Sequence, residues 1–97
     1  MLSAHAPIMA PQNEWVALKT ACDHANRRDR TMRAWVRLYG IGRQSCKHGP
    51  IEVHLPALEA VMCADMEVLD LIRAGDRSDP RVRRVYEYLL LPLPKPD

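Results

Sequence analysis

The sequence predicts a mainly α fold with a small two-stranded β hairpin and additional helices toward its C-terminal end. Three observations lead there. Apolar residues return at helical spacing in several stretches, beginning with Leu18, Ala21, Cys22 and Ala25. Between two of those stretches the period falls to two, Ile51, Val53 and Leu55 alternating with Glu52 and His54 as in a half-buried strand. The junctions carry Asn26, Gly40, Gly42, Gly49, Pro56, Gly75 and Asp79-Pro80, residue types that start or stop helices and close turns. A chain of 97 residues supports one modest core and leaves no room for two domains around a catalytic cleft, so neither an enzyme nor a cofactor is expected.

Residues 1–13 contain Pro7 and Pro11 without any apolar period and are expected to form a flexible arm. The main domain is expected over residues 14–75, with a helix and a proline-rich tail over residues 76–97. Its first ordered segment begins at Trp15 as a short helix, with Lys19, Asp23 and His24 facing away from the apolar stripe. Asn26, which tolerates left-handed backbone, ends it. A second helix over residues 28–39 follows almost at once, with Asp29 as the expected N-cap. Here Met32, Trp35, Val36 and Tyr39 fall at i, i+3, i+4 and i+7 and form one apolar stripe. Gly40 and Gly42 stop the helix. Residues 43–46 then pair with residues 51–55 across a turn at 47–50, where Gly49 supplies permissive backbone.

Pro56 suits the first turn of the next helix, because its missing N–H would be unsatisfied there anyway. Leu58, Val61, Met62, Leu69 and Ile72 mark its apolar face. Asp65 falls near this face, and two readings stay open: one long helix from which it turns outward, or a second helix from Met66 that it caps. Asp79-Pro80 starts a last helix bearing Val82, Val85, Tyr86, Leu89 and Leu90, and the prolines beyond Leu91 take the chain out of it.

Charge is divided along the chain: residues 1–26 sum to −1, 27–50 to +6, 51–76 to −5 and 77–97 to +2. Such a split suits a protein that meets a polyanion with one side and keeps an acidic side for solvent or for another copy. On the second helix Arg30, Arg33 and Arg37 line the face opposite the apolar stripe, the division a helix needs to lie in a major groove. Arg27 and Arg28 stand in the turn before it, and Thr31 in its first turn. The hairpin is expected to carry Arg43, Lys47 and His48 at a basic tip, where phosphates or a minor groove are within reach. Together Arg27, Arg28, Arg30, Thr31, Arg33, Arg37, Arg43, Lys47 and His48 form the expected DNA-contacting set. The alternatives are a solvated basic face and an ordinary hairpin tip. For Arg81, Arg83 and Arg84 three roles stay open: nucleic acid, the acidic helix of a neighbouring copy, or solvent.

Other chemistry finds little footing. Cys22, Cys46 and Cys63 are an odd set without paired spacing, which fits a reducing, cytoplasmic setting. Cys22/His24 and Cys46/His48 suggest zinc ligands, but residues at i and i+2 of a helix diverge and no C-x-x-C or H-x-x-x-H completes a set, so no metal is expected. Gly40-Ile41-Gly42 lacks the third glycine and preceding strand of a phosphate loop. No apolar run approaches the ~18 residues of a membrane span, and no membrane partner is expected.

The run from Trp15 to Met62 resembles the excisionase family, the recombination directionality factors of phages and integrative elements, which share a winged helix-turn-helix with MerR-type regulators. Leu18, Ala21 and Ala25 carry the likeness in the first helix, residues 30–35 (Arg-Thr-Met-Arg-Ala-Trp) in the second, and residues 51–60 (Ile-Glu-Val-His-Leu-Pro-Ala-Leu-Glu-Ala) after the wing. About half the chain is covered. It departs from the pattern at Arg27 and Arg28, where the family tends to place a small apolar residue and Ser or Thr, and at Ala34, a position often basic. The resemblance implies a non-enzymatic protein that bends double-stranded DNA, assembles several copies along it and turns an integrase toward excision. A head-to-tail contact between the acidic region of one copy and the basic patch of the next would serve that assembly. The remaining classes are a transcription regulator built on the same winged domain, a small terminase-like subunit of a phage, and an interaction module whose basic helix binds an acidic protein.

Overall fold

Residues 5–93 are described by a computed structural model. Chain order is β1 (Trp15–Ala17), α1 (Leu18–Ala25), α2 (Asp29–Tyr39), β2 (Gly42–Gln44), β3 (Ile51–His54), α3 (Leu55–Met62), α4 (Met66–Arg73) and α5 (Pro80–Tyr88), preceded by a 3-10 turn at Gln12–Glu14. The apolar stripes explain the helices. Ala21 and Ala25 of α1, Met32 and Val36 of α2, Leu58 and Val61 of α3, Val68, Leu69 and Ile72 of α4, and Val82 and Tyr86 of α5 are buried in one cluster. Asn26 takes a left-handed conformation at φ 54° and ends α1 as its composition predicts. Asp79 accepts from the Arg81 N–H as the N-cap of α5.

The sheet has three strands rather than the expected two, in the order β1-β3-β2, all antiparallel. Trp15–Ala17 is too rich in Trp and Val beside β3 to start the helix. It pairs with β3 instead, Val16 opposite Val53, and α1 begins only at Leu18. The sheet therefore continues past the hairpin onto the N-terminal segment. His54, expected on the open face of a half-buried strand, is fully buried because β3 is central and its last residue caps α3: its Nδ1 accepts from the Ala57 N–H at 3.3 Å. Leu55 belongs to α3, not to the strand.

The question left at Asp65 resolves into two helices. Ala64 adopts φ 55°, which no helix interior allows, and Asp65 caps α4 by accepting from the Val68 N–H at 3.1 Å. Asp29 does not cap α2. Arg28 occupies that position without a side-chain bond to the helix, and Asp29 sits in the first turn, paired with Arg33. Gly49 serves the turn through space and not through left-handed backbone: a Cβ there would lie 2.6 Å from the Cys46 Sγ.

Two clamps hold the ends of the chain to this frame. The expected arm is laid down over its described part: Ile8 is buried, the Ala6 carbonyl accepts from Arg73, and the Ala10 carbonyl accepts from the Trp15 indole. Residues 1–4 of the arm and 94–97 of the tail lie outside the described residues. At the other end α5 is anchored by a buried polar cluster. Tyr86 donates its hydroxyl proton to Glu14 at 2.6 Å, and His54 Nε2 lies 2.8 Å from the same oxygen. Because Nδ1 of His54 is used as an acceptor, Nε2 carries the proton and donates it to Glu14. Residues 76–93 are thus part of the same core as residues 14–75, not an appendage to it.

Candidate nucleic-acid interface

The geometry of α2 follows from its sequence pattern. Met32 and Val36 are fully buried, Trp35 and Tyr39 half-buried, and Arg30, Arg33, Ala34, Arg37 and Leu38 are exposed on the far side. Arg30, Arg33 and Arg37 stand at i, i+3 and i+7, so one stripe of guanidinium groups faces away from the core. Three contacts fix how this helix is presented. Gly42 abuts it closely enough that a Cβ would lie 2.6 Å from Val36 Cγ1, which seats the start of β2 on the helix. Arg73 of α4 donates to the carbonyls of Tyr39 and Gly40, and His5 Nε2 lies 2.9 Å from the Leu38 carbonyl. The Arg73 guanidinium at the final carbonyls matches the negative end of the helix dipole.

The nine expected contact residues divide by what they already hold. Arg28, Arg30 and Arg37 are exposed and have no polar partner among the described residues. Arg33 pairs with Asp29 at 2.6 Å, but both side chains are more than half open to solvent or close to it, at 50% and 63%, so the pair is weak and exchangeable. Thr31 is half-buried in the first turn. Arg27 is folded back: it donates to the carbonyls of Ala25 and Asn26 and lies over the Trp35 ring at 5.6 Å, which braces the turn between α1 and α2.

On the hairpin Lys47 and His48 are exposed in the loop at residues 45–50, again without a polar partner among the described residues. Arg43 is not at the tip and is already engaged. Its guanidinium stacks on Trp15 at 4.1 Å, donates to Glu52 at 2.9 Å and to Gln12 at 2.5 Å, and Gln12 in turn donates to Glu52. The bonds from Gln12 and then Arg43 outweigh partial burial and hold the Glu52 carboxyl below its ordinary 4.5. Arg43 and Glu52 are cross-strand partners, so this clamp ties all three strands to the turn before them. Leu38, 63% exposed beside the arginine stripe, was missing from the expected set because an apolar residue off the stripe carries no sequence signal for contact.

No family model, curated protein or solved structure matches the chain.

The remaining polar groups are arranged for structure. His24 lies 2.8 Å from Glu59, so it faces α3 and not Cys22. Cys22 is half-buried, and burial first, then the nearby Asp29, raises its thiol above the ordinary value, opposite to an activated nucleophile. Around Glu14 burial alone would raise the carboxyl. The hydrogen bonds from His54 and Tyr86, with the charge of Arg77 at 3.9 Å, outweigh it and hold the group below 4.5. Burial in turn depresses His54 below its ordinary 6.5 despite the carboxylate beside it, so a neutral imidazole faces an anion. Burial, followed by the bond to Glu14, pushes the Tyr86 hydroxyl up and keeps it protonated. No helix among the described residues is long and apolar enough to cross a membrane.

Proposed function

We propose that the chain is a winged helix-turn-helix protein that binds duplex DNA through α2 and the hairpin loop, and that it acts as an architectural factor directing an integrase toward excision. The observation that carries the DNA reading is the set of exposed basic side chains without a polar partner among the described residues, Arg28, Arg30 and Arg37 on and before one helix and Lys47 on the loop at residues 45–50, where His48 is exposed beside it. Cations that hold no acid among the described residues are available to phosphate oxygens or guanine edges at little cost in broken contacts. The excision role rests on the resemblance of residues 15–62 to the recombination directionality factors. Bending a ~20–30 bp site costs of order 1–6 kcal/mol, and several copies offset that better than one. The charge free for a head-to-tail contact is smaller than the sequence suggests, since Glu52, Glu59 and Glu67 already have partners in their own chain.

The test is binding to duplex DNA across a salt series, combined with a measurement of end-to-end distance on the same duplex. With about four phosphates neutralised, log K is expected to fall against log salt with a slope of about −3 to −4. A shortened end-to-end distance on binding supports the architectural role. Binding that ignores salt refutes the DNA reading, and steep salt dependence on an unbent duplex refutes the architectural one.

A further inference from the structure

Between α3, α4 and α5 runs an open groove of about 460 Å3 whose lining is mostly apolar, with Val68, Val85 and Tyr88 among its walls. Its charges are sorted. Glu59 and Asp65 stand on the α3 and α4 side, Arg81 and Arg84 on α5. Arg81 is held by Glu67 at 2.8 Å and by Asp79 at 3.1 Å, but Arg84 has no polar partner among the described residues. Asp65 spends one oxygen on its helix cap and keeps the other. Large apolar side chains are exposed at and beside the groove: Tyr88 at 70%, with Met62 and Met66, the neighbours of Cys63 and Asp65, at 38% and 39%. Clustered exposure of this kind marks an interaction surface, where scattered single residues would not.

A groove with one acidic wall and one basic wall is complementary to itself after a half-turn. We propose that it is the contact between two copies of this chain related by a two-fold axis, α5 of each copy lying against the α3 and α4 wall of the other. On α5 the lining residues Arg81, Arg84, Val85 and Tyr88 stand at i, i+3, i+4 and i+7 and therefore share one face. Laying the basic wall of each copy on the acidic wall of the other brings the unpaired Arg84 toward Asp65. The same surface supplies both signs and both apolar faces, which is the requirement for an isologous contact and not for an unrelated partner. This contact is independent of DNA binding and leaves α2 untouched.

Sedimentation equilibrium of the full chain without DNA tests it, paired with maleimide labelling of Cys63, which lines the groove and is exposed in the single chain. Twice the chain mass is expected, with Cys63 labelling slowing as protein concentration rises while labelling of the exposed Cys46 on the hairpin loop does not change. Arg84→Glu sets like charges face to face and is expected to weaken the dimer by more than about tenfold with unchanged far-UV dichroism, whereas Arg84→Lys retains it. A monomer at every concentration, Cys63 labelling that ignores concentration, or a dimer indifferent to Arg84→Glu each overturns the proposal.

Discussion

At the scale of single residues, similar side chains in this protein do different work because their surroundings differ. Arg37 is open to solvent without a partner, while Arg33 must first leave Asp29. Arg37→Ala is therefore expected to weaken duplex binding by ~1–3 kcal/mol if it reads a base, and Arg33→Ala by less, with thermal unfolding of both unchanged. Parental affinity in both variants would remove α2 from the interface. Trp35 is only half-buried beneath Arg27, so its truncation costs less than that of the fully buried Met32, for which ~2–5 kcal/mol is expected. His54 is expected to make stability depend on pH just below neutrality. Its folded value lies below 6.5, so the unfolded chain takes up the proton first. The stabilisation is complete above about 6.5 and is lost as pH falls below it, before Glu14 adds its own loss below 4.5. His54→Asn keeps a capping oxygen but removes the titrating ring. Urea unfolding of this variant should lose the steep decline between about pH 7 and pH 5, and an unaltered decline would assign it to other groups.

Elements are positioned by what abuts them more than by their own propensity. β2 reaches α2 closely because Gly42 has no side chain, and Gly42→Ala is expected to destabilise by ~1–3 kcal/mol as Val36 and the strand are pushed apart. The hairpin is held by the Arg43, Glu52 and Gln12 clamp with Trp15 beneath. Arg43→Ala is expected to cost about 1 kcal/mol of stability while leaving the salt slope of DNA binding as it was. A slope reduced by about one would return Arg43 to the phosphate contacts. Helix α5 was legible at this scale because stripe and cap agree, and α1 and α2 were legible in their stripes and in their stops at Asn26 and Gly40 but not in how they begin. β1 was not, since three residues carry no period, and a strand of that length forms only when a partner edge is present.

For the whole molecule, the hydroxyl of Tyr86 and the carboxylate of Glu14 join residues 72 positions apart, and Ile8, Trp15, Val82 and Tyr86 share one core. A chain ended at residue 75 is expected to lose its cooperative thermal transition, because Glu14 and His54 would be left beside an open core. A sharp transition in that shortened chain would make α5 an accessory. Tyr86→Phe isolates the hydroxyl from the ring and should lower stability by ~1–3 kcal/mol in urea unfolding.

By itself the sequence determined which stretches become helices, where most of them begin and end, and which side of α2 carries the arginines. These are local properties, set by the periodicity of apolar residues and by side chains that cap or break within a few positions. Only the tertiary structure decided that Glu14 and His54 are buried, that Arg27 and Arg43 are spent on Trp35 and Trp15, and that α5 closes the core. Each depends on which distant residue arrives next to it. A charged side chain reads the same in sequence whether an acid, an aromatic ring or open solvent awaits it.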